Sequence, residues 1–174
     1  MQLVLPSVQY KDSFIQAVKE YQADEADDRL DVLSLRVEDL EHDFDSYVSQ
    51  LLSNAEGKNL LAGYVPQSTF WLVDGNEFIG RTSIRHILTD RLLREGGHIG
   101  YDIRPSMRQK GYGKRMLELA LPRAKALGIK RALVTCNEDN LGSKKIIEAN
   151  GGVFENAVSM GEGKPRKLRY WITI

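Results

Sequence analysis

One cysteine, three histidines and no long apolar run mark what this chain of 174 residues does without. A lone Cys136 can neither close an intramolecular disulfide nor form a cysteine-cluster zinc site. The histidines stand at 42, 86 and 98 without HExxH spacing, so no catalytic metal is expected. No apolar run reaches the roughly eighteen residues of a membrane span, and the first residues lack the basic-then-apolar order of a signal peptide. The expectations are therefore no membrane and a cytoplasmic chain. Net charge is missing too. Twenty-four Lys and Arg balance 24 Asp and Glu, which removes the overall positive field that nucleic acid would need.

What the chain does have is 42% hydrophobic residues, enough for one substantial core but not for a second. Residues 1–174 read as a single domain. Helix periodicity runs from Asp12 to Tyr21, with Phe14, Ile15, Val18 and Tyr21 near one face. An acidic stretch, Ala23 to Asp31, follows as a loop. Asp43 to Gly57 reads as a second helix closed by its glycine. Ser68 to Leu88 reads as two strands folded around Asp74-Gly75-Asn76, and Gly97 to Pro105 as a third strand ended by its proline.

A helix is predicted from Gly111 to Leu127, bent at Pro122 and stopped by Gly128. The next strand, Arg131 to Cys136, fits a right-handed crossover between parallel neighbours. Asn140 to Gly152 is a short helix. Strands near Val153 to Ala157 and Lys167 to Ile174 close the chain around a polar, glycine-rich connection expected to be mobile. The sum is one α+β domain of three layers, a mixed sheet with helices on its faces.

The most specific stretch is IRPSMRQKGYGKRML, Ile103 to Leu117. Free N–H groups in the first turn of a helix suit an anion, and Arg108, Lys110 and Lys114 add positive charge. A bulky side chain at Gly111 or Gly113 would block close approach to the backbone. The reading is a phosphate site. It is not a P-loop, because GxxxxGK[ST] is absent, and KGYGKR lacks the GxGxxG spacing of a dinucleotide fingerprint.

Arg108-Gln109-Lys110-Gly111-Tyr112-Gly113 resembles the acetyl-CoA motif of the GNAT N-acetyltransferase superfamily, and the order of elements along the whole chain matches that fold. CNEDNLGSKKIIEANGGVFE, from Cys136 to Glu155, resembles the family's second signature. The resemblance implies a three-layer α/β/α fold whose central sheet is mixed, mostly antiparallel, with a splayed pair of parallel strands. It also implies acetyl-CoA as the acetyl donor. Arg108 through Gly113, with Lys114 beside them, would surround the CoA pyrophosphate. Ile103 and Arg104 would offer backbone groups to the pantetheine arm, and Asn137 and Asn140 match polar positions at the start of the last helix. An acceptor amine would attack the thioester carbonyl directly, its oxyanion meeting a main-chain N–H at the end of the fourth strand.

Many relatives carry a Tyr on the last helix as acid for the departing thiolate; the matching position here is Ile147. Unaided departure, water or Cys136 stand as replacements, since the thiol pKa lies near 8.5. His98 is the first candidate base, with Asp102 orienting it or standing second. Each residue also has a plain structural alternative: a helix cap at Ser106, a local hydrogen bond for His98, an ion pair to Arg104 or Arg108 for Asp102, and turn or cap roles for Asn137 and Asn140.

The acidic residues Asp24, Glu25, Asp27 and Asp28 would favour a cationic acceptor if they border its groove. The expected partner is a small-molecule or peptide amine, with a homodimer allowed. A CoA-binding regulatory module without turnover is the alternative function.

Overall fold

The computed structural model describes residues 1–24, 34–58, 60 and 62–174. Of the acidic stretch, Glu25, Asp27 and Asp28 lie outside the described residues. The chain opens with a strand too short for periodicity to reveal, β1 (Gln2–Val4), followed by α1 (Lys11–Ala23). Two further helices, α2 (Val37–His42) and α3 (Phe44–Ser53), precede the hairpin. The six-residue α2 is absent from the sequence reading. In α3, Asp43 caps the helix by accepting the Ser46 N–H.

Strands β2 (Gln67–Asp74) and β3 (Glu77–Arg85) pair around the turn residues Gly75 and Asn76, and β4 (Ile99–Ile103) adds to β3. Then come α4 (Tyr112–Ala126), β5 (Arg131–Asn137), α5 (Leu141–Ala149), β6 (Val153–Val158) and β7 (Lys167–Thr173). The helix α4 continues through Pro122.

The strands form two antiparallel sheets, ordered β1-β2-β3-β4 and β5-β7-β6. Each face of the first sheet has its own core. Leu72, Ile84 and Ile99 pack with Met116 and Leu117 of α4 and Ile147 of α5. On the opposite face Trp71 and Phe78 pack with Phe14, Val18 and Tyr21 of α1 and with Phe44 and Val48 of α3. Phe14 stacks on Trp71 with ring centroids 4.8 Å apart. This is the three-layer arrangement with a mostly antiparallel sheet.

The crossover through α4 does not return to a ladder: among the described residues none joins β4 to β5. The chain just before β4 hydrogen-bonds β5 at Leu133. The His98 N–H donates to the Leu133 C=O at 2.7 Å, and the Leu133 N–H donates to His98 Nδ1 at 2.9 Å. Gly97 makes that approach tolerable. Its φ is +67°, and a Cβ there would sit 2.5 Å from the Leu133 carbonyl oxygen.

Candidate active site

A cavity of about 450 Å³ lies between the end of β4, the loop into α4, and the first turns of α5. Its shape follows from the backbone between the two elements. After Ile103, Pro105–Met107 makes one 3₁₀ turn and Arg108 is extended. Gln109 then takes φ +62°, alone among the described non-glycine residues, and Gly111 takes φ +83°. Two left-handed residues so close together turn the chain sharply into α4. A non-glycine residue held there stores backbone strain, of the kind that collects at functional sites.

The first intrahelical bond of α4 runs from the Arg115 N–H to the Gly111 C=O. The N–H groups of Tyr112, Gly113 and Lys114 therefore precede the helical ladder and stay available to an anion. Gly113 has a further reason to lack a side chain. A Cβ there would stand 2.6 Å from Ile146 Cδ1, so this glycine lets α4 close on α5.

Most of the expected cofactor residues line this cavity. Ile103, Arg108, Gln109 and Gly111 form one stretch of wall, and Tyr112, Gly113, Lys114 and Asn140 continue it. Three expected residues do not. Lys110 lies outside the wall, its Nζ 3.5 Å from Met107 Sδ. Asn137 Oδ1 accepts from Lys167 Nζ across the β5–β7 pair. Arg104 faces away: its N–H donates to the Ile79 C=O, its C=O accepts from Met107, and its guanidinium meets Glu20 at 2.7 Å.

The reason is strand parity. Arg85 N–H to His98 C=O and Arg104 N–H to Ile79 C=O fix which pairs of the β3–β4 ladder exchange hydrogen bonds. Gly100, Asp102 and Arg104 turn their backbone toward β3, so Tyr101 and Ile103 turn theirs toward the open edge. The open edge thus carries the backbone of Tyr101 and Ile103, whereas Arg104, expected beside Ile103, turns its backbone to β3. The Ile103 C=O already accepts from Arg108 Nε at 3.2 Å.

The two base candidates are placed apart from each other. His98 lies outside the cavity wall, its Nδ1 an acceptor for Leu133 and its ring edge-on to Trp171 at 6.3 Å. Burial, with the positive Arg85 second, lowers its pKa below the ordinary imidazole value. Asp102 contributes to the wall, but its carboxylate accepts from Tyr21 Oη at 2.7 Å and pairs with Arg81 Nε at 2.9 Å. Asp102 pairs with Arg81, and His98 is oriented by Leu133.

Glu20 of α1 braces the loop from the other side, bonding Arg104 and accepting the Ser106 N–H at 3.2 Å. Burial raises its pKa, but the hydrogen bonds from Arg104 and Ser106 outweigh that and hold the carboxyl below the usual range. Ser106 is therefore held by Glu20 and does not cap α4, which starts at Tyr112. Asp24 pairs with Arg108. Asn140 is the cap of α5, accepting the Ser143 N–H at 2.9 Å. The basic stretch near Lys164 to Arg169 lies outside the cavity, with Arg166 bound to Glu138.

Sequence reasoning missed Tyr101, Met107, Gly142, Ser143 and Ile146, all of which line the cavity. Tyr101 could have been found from the alternation of β4, because it shares a face with Ile103. Ser143 required the docking of α5. Cys136 is buried outside the wall, and Ile147 is fully buried in the core. Among the described residues no cluster of His, Cys, Asp or Glu could hold a metal, and no helix is long and apolar enough to cross a membrane.

A cleft with available N–H donors and cations beside an open strand edge suits a ligand that carries an anionic group. The profile of the acetyltransferase (GNAT) domain family matches residues 20–153, and the chain belongs to that family. No curated protein sequence matches it. Solved structures share the fold over almost the entire chain. The microcin C7 self-immunity acetyltransferase MccE, in complex with acetyl-CoA and AMP, has a TM-score of 0.69 at 15% identity, covering 99% of this chain and 91% of that one. RimL, a ribosomal L7/L12 α-N-protein acetyltransferase in complex with coenzyme A, has a TM-score of 0.69 at 18% identity, covering 99% and 93%. A spermidine N-acetyltransferase SpeG chimera from Vibrio cholerae and hSSAT has a TM-score of 0.62 at 15% identity, covering 99% and 96%.

Proposed function

We propose that the protein is an N-acetyltransferase that moves the acetyl group of acetyl-CoA directly to a primary amine within a ternary complex, in the cytoplasm. The observation that carries this reading is the cradle at the start of α4, where left-handed Gln109 and Gly111 present the N–H groups of Tyr112, Gly113 and Lys114 beside Arg108. These donors would hold the CoA pyrophosphate. The pantetheine arm would follow the open edge of β4 past Ile103 toward Tyr101.

There the amine nitrogen attacks the thioester carbonyl, a carbon–nitrogen bond forms, and the carbon–sulfur pair departs on sulfur. A main-chain N–H on the open edge of β4 meets the tetrahedral oxyanion. Water takes the amine proton, because His98 is turned to Leu133 and Asp102 is held by Tyr21 and Arg81.

A cationic acceptor remains part of the proposal. Its support is the acidic composition of Ala23 to Asp31; Asp24 itself is paired with Arg108. MccE, RimL and the SpeG chimera indicate, by the acceptors in their names, that small molecules, protein ends and polyamines all belong in a test panel. A homodimer belongs to the same reading, with exposed Val153 and Phe154 on edge strand β6 the first surface to probe by sedimentation.

The full burial of Ile147 favours a second reading, a CoA-binding module without turnover. Thiol release from acetyl-CoA across amines, aminoglycosides and peptides, with CoA binding measured alongside, separates the two. Turnover on any amine establishes the enzyme. Tight CoA binding with no thiol release across the panel favours the module, and absence of CoA binding defeats both.

A further inference from the structure

The family's usual acid position is Ile147, which is fully buried and carries no hydroxyl. The cavity nevertheless has hydroxyls of its own, on Tyr101, Tyr112 and Ser143. Tyr112 opens α4 and belongs to the anion end. Tyr101 stands two residues before Ile103, about 6–7 Å back along the strand and away from that end. Tyr101 Oη lies 2.8 Å from Ser143 Oγ and 3.4 Å from the Ser143 carbonyl oxygen. The phenol is thus tied to the first turn of α5 across the inner part of the cleft.

Burial pushes the Tyr101 hydroxyl well above the usual phenol range, only partly offset by the bond to Ser143. A hydroxyl so much less acidic than a thiol, whose pKa is about 8.5, keeps its proton opposite a thiolate. It acts there as a donor of a charge-assisted hydrogen bond and not as a source of protons.

We infer that Tyr101 is the hydrogen-bond donor to the CoA sulfur as it departs, with Ser143 positioning the phenol. This rests on the acetyl-CoA reading of the same cleft. The balance is simple. The carbon–sulfur electron pair goes to sulfur, the O–H of Tyr101 points at the resulting thiolate without being transferred, and the thiolate takes its proton from solvent. The proton lost by the amine goes to water. No oxidant, metal or further co-reactant enters.

The assignment is tested without knowing the acceptor, by titrating the thiol of bound CoA through its ultraviolet thiolate absorbance. A Cys136→Ala parent removes the protein's own thiol signal. In the parent the bound thiol titrates below free CoA. Tyr101→Phe raises that midpoint by about one pH unit or more, a tenfold or greater loss of thiolate, as expected for losing a hydrogen bond to a charged group. Ser143→Ala gives a smaller rise.

CoA affinity at a pH where the thiol is protonated stays close to the parent's in both variants, which a merely structural role would not predict. An unchanged midpoint in Tyr101→Phe overturns the assignment. So does a rise seen in Ser143→Ala alone, which would make Ser143 the donor. Failure of the parent to bind CoA is a distinct result that defeats the cofactor reading and this assignment together.

Discussion

Arg108 and Asp24 form an ion pair, Nη1 to Oδ2, that ties the basic loop before α4 to the C-terminal end of α1. One member comes from the cradle and the other from the start of the acidic stretch, so the two most charged parts of the sequence meet. With Glu20 on Arg104 and Ser106, α1 clasps the loop at both ends.

On the proposed reading, a pyrophosphate arriving at the cradle would compete with Asp24 for the Arg108 guanidinium. Asp24→Asn removes that competition and is expected to tighten CoA binding up to about fivefold, in line with the modest strength of a partly exposed pair. Isothermal titration with CoA measures it, and the gain should shrink as salt is raised. Equal or weaker binding would show that Asp24 positions Arg108 for the cofactor instead.

His98 predicts a pH dependence of stability. Its folded-state pKa is lowered by burial and Arg85, so the unfolded chain binds the proton more readily. Its contribution is complete above the unfolded value of about 6.5 and is lost as pH falls through that value toward the folded one. Urea midpoints should therefore begin to drop as pH falls through about 6.5, and drop less in His98→Gln. The same variant should keep the pH profile of acetyl transfer. An imidazole limb that vanishes with it would restore His98 as the base.

Ile147 cannot be exchanged for the family's tyrosine without cost. The site is fully buried, and the Ile147 side chain sits within 2.4 Å of where a Cβ on Gly152 would fall, so no room exists for a phenol. Ile147→Tyr is expected to lose about 1–3 kcal/mol through overpacking, lowering Tm by roughly 2–4 °C per kcal/mol without raising thiol release. Calorimetry and the release assay decide it together.

Asn140 serves α5 as a cap and also lines the cavity, and two substitutions separate these duties. Asn140→Ala should cost about 1 kcal/mol of stability, while Asn140→Asp keeps a capping oxygen and loses little. Both are expected to weaken CoA binding, since both remove the side-chain N–H₂. Full affinity in the Asp variant would leave Asn140 a cap alone.

The order of elements was readable from the chain because helix and strand periods, Gly57, Gly128 and the Asp74–Asn76 turn are local signals. The cradle was readable for the same reason: Arg108 to Lys114 carry their backbone geometry and charge within seven consecutive residues. Gln2–Val4 and Val37–His42 escaped, being shorter than the patterns that reveal strands and helices.

What the tertiary structure alone decided is which way each group faces. The register of β3 on β4 turned Arg104 toward Glu20 and opened Tyr101 and Ile103 to the cleft. The approach of the residue before β4 to β5 made His98 an acceptor for Leu133. Tyr101 and Ser143, 42 positions apart, became neighbours only when α5 docked beside β4. Residue identity records what a side chain can do. Its partner across a sheet or between helices is set by packing over long sequence separations, which no local pattern encodes.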